Sequence, residues 1–403
     1  MDPDSAPDSL PLLRWTEAGQ PQAARWRSER AAPPPARVLR VDDGTPALAA
    51  YRQACEGSAL LWRGDFQNAR QLLQALARRI DKAPHHKKKH KPDASAPGAA
   101  GEAFHRHRMA QAQRARVLGA LLVVLDADYG IPLRRAPDVR AACAHAWGPA
   151  PAGGGPSVVS LRELLGVVGA HQWHLKGVAV PALGGRIHPG YGVFSPLRGE
   201  YVDLVARAPL PATALARGGQ AFDIGTGSGV LAAVLARRQV ARVLATDQDP
   251  RALASARDNI ERLGLSSAVQ VLEADLYPRG RAALVVCNPP WLPARPSAPI
   301  ERAIYDEDGR MLQGFLDGLA AHLAPGGEGW LVLSDLAEHL GLRTRDELMA
   351  AFARAGLKVV GRLDARPRHP KAADAADALH AARAAEVTSL WRLAAASDAP
   401  GAA

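Results

Sequence analysis

Cysteine is scarce in this chain: 403 residues carry three, Cys55, Cys143 and Cys287, widely separated. There is no C-x-x-C pair and no even set to build a disulfide framework, so a disulfide scaffold is excluded, no metal site is expected, and a reducing, cytoplasmic setting fits. Long apolar runs are missing too. The longest, Val117 to Leu125, stops at Asp126 and is too short to span a bilayer. The opening Met1-Asp2-Pro3-Asp4 is acidic, without the apolar core of a signal peptide. Net charge is absent from the second half: residues 201–403 hold 23 Lys/Arg against 23 Asp/Glu, and residues 1–200 hold 27 against 17. The whole excess of +10 therefore lies in the first half, five of its lysines in the run 82–91. That asymmetry predicts an acidic partner for the N-terminal part.

At this length two domains are expected. Residues 1–44, rich in Pro, Ala, Asp and Arg, read as an extended or disordered arm on which Trp15 and Trp26 dock back. Residues 45–175 read as a mainly helical domain. Leu60, Leu61, Phe66, Ala69, Leu72, Leu73 and Leu76 recur near the helical period, and Phe104 to Asp128 reads as one long helix. Ser160 and Glu163 form a candidate capping box. Within this domain the stretch 82–101, with KAPHHKKKHK followed by Ala, Gly, Pro and Ser, has too little apolar surface to offset its ordering entropy and is expected to be a disordered insertion. Arg63, Arg70, Arg78, Arg79, Arg106 and Arg108 are candidates for a phosphate-contacting face. Residues 394–403 read as a disordered tail.

The richest chemistry lies between Ala221 and Trp291. Ala221-Phe-Asp-Ile-Gly-Thr-Gly-Ser-Gly229 is a short apolar run, an acid and three glycines at alternate positions, followed by a helical run from Val230. A strand, a glycine loop and a helix in that order make a nucleotide cradle. A second strand, Val243 to Asp247, ends in an acid about 20 residues past the loop, where a ribose-binding carboxylate belongs. A third, Val269 to Ala274, leads to Asp275, and a fourth, Ala283 to Cys287, to Asn288-Pro289-Pro290-Trp291. Two consecutive prolines cannot continue a sheet. The glycine spacing is G-x-G-x-G, not the dinucleotide G-x-G-x-x-G, and an Asn-Pro-Pro-aromatic turn has no part in hydride transfer. A nicotinamide oxidoreductase is thereby disfavoured.

These residues, in this order, resemble class I S-adenosylmethionine (SAM)-dependent methyltransferases with an N-P-P-[YFW] motif, which modify planar amino nitrogens. The resemblance covers about 186–393 and implies an α/β fold: a Rossmann-like seven-stranded class I methyltransferase sheet over 176–393, with Leu357 to Leu363 and Val387 to Leu393 as its antiparallel hairpin, preceded by the mainly helical N-terminal domain. It implies that SAM is the cofactor. Asp223, Gly225, Thr226, Gly227 and Gly229 would hold its methionine end, Asp247 its ribose and Asp275 its adenine. Asn288, whose side-chain oxygen would accept a hydrogen of the incoming amine, works with the carbonyl of Pro289. Pro290 stiffens the turn, and Trp291 stacks on the target plane, a role that Tyr would fill equally. Accepting both amine hydrogens favours a pyramidal, nucleophilic nitrogen without a general base.

The acceptor has two expected forms. The basic N-terminal half and the aromatic clamp point to an exocyclic amine of a nucleobase in ribosomal or transfer RNA, and thus to RNA as partner. The stretch around Pro196, Arg198 and Glu200 loosely resembles the segment that enters the catalytic domain of release-factor glutamine methyltransferases, without their Thr-Glu. That points instead to a glutamine amide of a translation protein. A noncatalytic RNA-binding protein on a SAM fold is a third reading, opposed by the intact Asp223, Asp247 and Asn288.

Overall fold

A computed structural model of the protein describes residues 10–82, 99–197, 199–296, 299–367, 377 and 379–396. Among them the chain forms two compact units, one of 10–82 with 105–172, the other of 99–104 with 173–396. No helix among the described residues is long and apolar enough to cross a membrane.

The first unit departs from the sequence reading. It is a six-stranded sheet, order β1-β2-β6-β5-β4-β3, carrying helices, and not a mainly helical domain behind an arm. The residues expected to be an arm supply β1 (Leu12–Glu17), β2 (Gln20–Arg27) and β3 (Val38–Val41). β1 and β2 pair Glu17 with Gln20 across Ala18 and Gly19, both at positive φ, as a two-residue hairpin turn requires. Only Leu13, Ala24 and Trp26 of this hairpin are buried deeply, so its polar composition hid a strand pair. β4 (Ala59–Trp62) contains the Leu60 and Leu61 that the helical period had claimed, and the true helix starts at Phe66. The helix Ala99–Gly119 stops at Gly119, so the apolar run after it splits, and Leu121–Leu125 is β5. β4 and β6 (Ser157–Ser160) are buried at every position. Four residues, apolar throughout in β4 and Ser-Val-Val-Ser in β6, are too few for a period to separate strand from helix.

The candidate capping box at Ser160 is not formed. The Glu163 carboxylate accepts from the backbone N–H of Glu29 at 2.9 Å, and the helix that follows β6 runs on from Leu161 to Lys176. Most of the expected basic insertion lies outside the described residues, but Ala99 to Gly101 open a helix, and Phe104 is 2% exposed in a cluster with Leu292, Leu336 and Leu340. Of the expected tail, residues 394–395 close β15 and 397–403 lie outside the described residues.

The second unit follows the sequence closely. A small ribbon, β7 (Val178–Val180) with β8 (Gly185–Ile187), enters it. Its main sheet comprises β9 (Gln220–Ile224), β10 (Arg242–Asp247), β11 (Val269–Glu273), β12 (Ala282–Cys287), β13 (Leu323–Ser334), β14 (Leu357–Ala365) and β15 (Thr388–Ala395). The order is β11-β10-β9-β12-β13-β15-β14, parallel through β13, with β15 antiparallel to both of its neighbours. β12, AALVVC, is buried throughout, the unbroken apolar pattern of a parallel strand covered on both faces. Two clusters form those layers. One face carries Val230–Leu235 with Val243, Val286 and Trp330; the other carries Leu312, Phe315, Leu319 and Phe352 with Phe222, Val285 and Leu331.

Candidate active site

Strand order reverses between β9 and β12: β10 and β11 lie outward from β9, and β13 lies outward from β12. Crevices open at such a reversal, outside the carboxyl ends of the strands. The register fixes what faces that opening. Ile224 pairs with Cys287, so Gly225 and Asn288 leave the sheet side by side. Thr246 pairs with Ile224 and Asp247 with Glu273, so Asp247 and Asp275 follow one and two strands away. Adjacent strands are ~4.8 Å apart. The row from Asp275 to Asn288 therefore crosses three gaps, about 14 Å.

The three acids at this end of the sheet are placed differently. Asp223 is 1% exposed; its Oδ2 accepts from Thr226 Oγ1 at 2.6 Å and from the N–H of Ala232 at 2.9 Å. Burial pushes its carboxyl up to about 6, against the pull of those two bonds. Asp223 thus braces the loop to the start of the helix Val230–Arg237. Asp247 accepts from the N–H of Gly227 at 3.0 Å through Oδ2 and from that of Asp249 at 3.0 Å through Oδ1. The backbone of Gln248 also hydrogen-bonds this carboxylate, and since a carboxylate offers about four acceptor positions, some capacity stays available for a hydroxyl. Burial raises the Asp247 carboxyl as well. Asp275 is exposed and pairs with Arg310 at 2.9 Å.

Gly225, Gly227 and Gly229 all have φ between +55° and +81°, a region that side chains disfavour. They differ in what lies beyond. A Cβ on Gly225 would collide with Met311 Cε, and one on Gly229 would sit 3.2 Å from Ala256 Cα, whereas one on Gly227 would meet nothing within 4 Å. The loop is packed at both ends and open in its middle. That opening, with the unused acceptor positions of Asp247, fits the methionine and ribose portions of SAM.

On the neighbouring strand, Pro289 is buried and Asn288, Pro290 and Trp291 are half-buried. Trp291 Nε1 donates to Asn288 Oδ1 at 2.9 Å, a bond the sequence reading did not foresee. Two further residues support the site, of which Asn259 escaped the sequence reading. Asn259, fully buried, donates to the carbonyls of His188, Ser228 and Ser255 and accepts from the His188 N–H, tying the glycine loop to the chain entering the unit. Its signal was a polar residue on the buried stripe of an amphipathic helix. Asp306 accepts from the N–H groups of Met311 and Leu312 and so anchors the residues that approach Gly225 and Asp275. Of the loosely matching entry segment, Glu200 is buried in the first turn of a helix, and Arg198 lies outside the described residues.

Comparison with known proteins agrees with this layout. The Methyltransferase small domain family model matches residues 186–354. Over 73 residues the chain is 49% identical to a ribosomal protein L11 methyltransferase of Pelotomaculum thermopropionicum, covering 18% of this chain and 24% of that one. Over 153 residues it is 41% identical to a release factor glutamine methyltransferase of Moorella thermoacetica, covering 32% and 54%. The chain thus spans between a quarter and about half of these relatives' own lengths. A SAM-dependent methyltransferase structure from Thiobacillus denitrificans, in complex with S-adenosyl-L-homocysteine, is 17% identical at a TM-score of 0.33, covering 49% of this chain and 90% of that one. The family match takes in the glycine loop, Asp247, Asp275 and Asn288, so the residues of this crevice lie inside the stretch that is similar to a methyltransferase small domain.

Proposed function

We propose that this protein transfers a methyl group from SAM to a planar amide nitrogen, that of a glutamine side chain in a translation protein. The observation that carries the chemistry is the pairing of Ile224 with Cys287, which sets Asn288 beside the glycine loop. When bound, SAM supplies an electrophilic methyl group on a sulfonium. The chain's own part is positioning, which contributes most where a displacement must be in line. Asp247 and Gly227 fix the ribose and methionine ends, and Asn288 Oδ1 with the Pro289 carbonyl accept the hydrogens of the incoming amide nitrogen. That arrangement localises the nitrogen lone pair and directs it at the methyl group. The N–CH3 bond would form as the S–CH3 bond breaks, S-adenosylhomocysteine would leave, and the proton shed by the methylated nitrogen would pass to water, with no titrating side chain assigned to take it.

The choice of a protein acceptor rests on the relatives. One of them is named for release factor glutamine and the other for ribosomal protein L11. The nucleobase reading rests on the basic first half, where several arginines, the candidate Arg63 among them, are held by acids. Arg63 is paired with Glu17, Arg134 and Arg135 with Asp65, and Arg140 with Asp128 and Asp138.

The test is Asn288→Ala, with methyl transfer and SAM affinity measured in parallel. Turnover is expected to fall by roughly 10²–10³-fold, the usual cost of one contact aimed at the transition state, with calorimetric SAM affinity nearly unchanged. A matching loss of cofactor affinity would make Asn288 a structural residue of the cofactor site and remove it from the chemistry.

A further inference from the structure

Of the residues around the crevice, Trp291 carries the observation that the methyl-transfer reading leaves unused. Its indole N–H donates to Asn288 Oδ1 at 2.9 Å. An indole nitrogen can only donate, so the Asn288 atom facing it is the carbonyl oxygen, and the amide orientation is fixed by chemistry. Between the two partners stand Pro289 and Pro290, whose rings lock φ near −65°. The backbone that carries the indole back toward Asn288 therefore has little freedom. The ring is held from behind as well, since Trp291 packs against the hydrophobic clusters on both faces of the sheet. The Asn288 side chain emerges directly after Cys287, which is fully buried.

We infer that Trp291 is a positioning residue: its N–H holds the Asn288 amide in one orientation, leaving one acceptor position of Oδ1 for the incoming amine. This inference rests on the proposed role of Asn288. The oxygen has two acceptor positions. With the indole on one, the other is the single place where a hydrogen of the target nitrogen is taken, and the Pro289 carbonyl takes the second hydrogen. An unheld Asn288 side chain would rotate about its terminal torsion, which has broad, roughly two-fold preferences, and would present –NH2 to the target part of the time. A donor there repels the amine that an acceptor should receive.

The consequence differs from what stacking alone implies. Stacking alone would let any aromatic serve at 291. Phe has no donor, and the Tyr hydroxyl lies at the far tip of its ring, away from the place of the indole nitrogen. Trp291→Tyr is thus expected to behave like Trp291→Phe and not like the wild type.

The experiment uses full-length protein with 15N-labelled tryptophan, the Trp291 indole resonance being identified by its loss in Trp291→Phe. In Asn288→Ala that indole proton is expected to shift upfield and to exchange with solvent about tenfold faster, as loss of one hydrogen bond implies. Tritium transfer from SAM into the protein fraction of a deletion-strain lysate gives the second readout. At saturating SAM, Trp291→Phe and Trp291→Tyr should each lower the initial rate roughly tenfold with SAM affinity kept. Neither change should lower the rate further in an Asn288→Ala background. An indole proton that ignores Asn288→Ala, or a Trp291→Phe enzyme at the wild-type rate, overturns the inference and leaves the role of Asn288 standing. Undiminished transfer by Asn288→Ala overturns both.

Discussion

Asp247 serves two demands at once. Its oxygens hold the N–H groups of Gly227 and Asp249, shaping the glycine loop and the entry to the next helix, and under the proposed function they would also accept from a ribose. Asp247→Ala is therefore expected to weaken SAM binding by about 1–3 kcal/mol, the scale of hydrogen bonds to a charged group, and to lower the melting temperature as well. Calorimetry and a thermal melt read the two effects. Unchanged affinity would mean that the carboxylate serves the loop alone. Asp223 illustrates how a carboxylate so near the loop can be spent on structure: it is buried, with Oδ2 shared between Thr226 and Ala232. At this scale the sequence identifies the chemistry but not the division of labour. Asp223, Asp247 and Asp275 look alike as letters; one is a buried brace, one is half-buried and two-sided, and one is exposed against Arg310.

Elements differ in how far their residues reveal them. In the second unit the central strands are apolar runs that end at the glycine loop, on an acid or at Asn-Pro-Pro, and each is followed by a helix or loop of distinct composition, so both type and order are legible. In the first unit β4 and β6 are four residues each and buried throughout, too short for a period to show. β2 opens on the exposed residues Gln-Pro-Gln. The pairing of distant segments decides what they become: β2 lies against β6, more than a hundred residues away. The same distance hid the partner of Glu163, which the local pattern assigned to a cap on its own helix and which the fold gives to Glu29. Burial, with the nearby Glu29, pushes the Glu163 carboxyl up to about 7 despite that bond and the nearby Arg30 and Arg162. A raised carboxylate pKa means that the folded state binds more protons than the unfolded one. Its contribution is present at low pH and is lost as pH rises from about 4, the unfolded value, through 7. Glu163→Gln, neutral and still able to accept from Glu29, is expected to match the wild type at pH 4 and to exceed it at pH 8 by roughly 1–3 kcal/mol. Melts at the two pH values check this. A wild type more stable than the variant at pH 8 would show that the ionised form is favoured in the fold.

For the whole molecule, two sheets of different design share one chain. The second unit carries the family match and the crevice, and its parallel strands all point their carboxyl ends at one edge of the sheet. The first unit has no counterpart in the family match, which starts at residue 186, and its basic residues include several already neutralised by acids. The account's central claim is that the crevice of the second unit methylates protein. It is tested most directly by incubating the purified protein with tritiated-methyl SAM and a lysate of a strain lacking it, then separating protein, RNA and DNA. The account predicts label in protein, recovered as methylglutamine after enzymatic digestion, and no label when the Asn288→Ala protein is used. Label confined to RNA would contradict the protein acceptor, and no incorporation into any fraction would contradict the methyl-transfer reading itself.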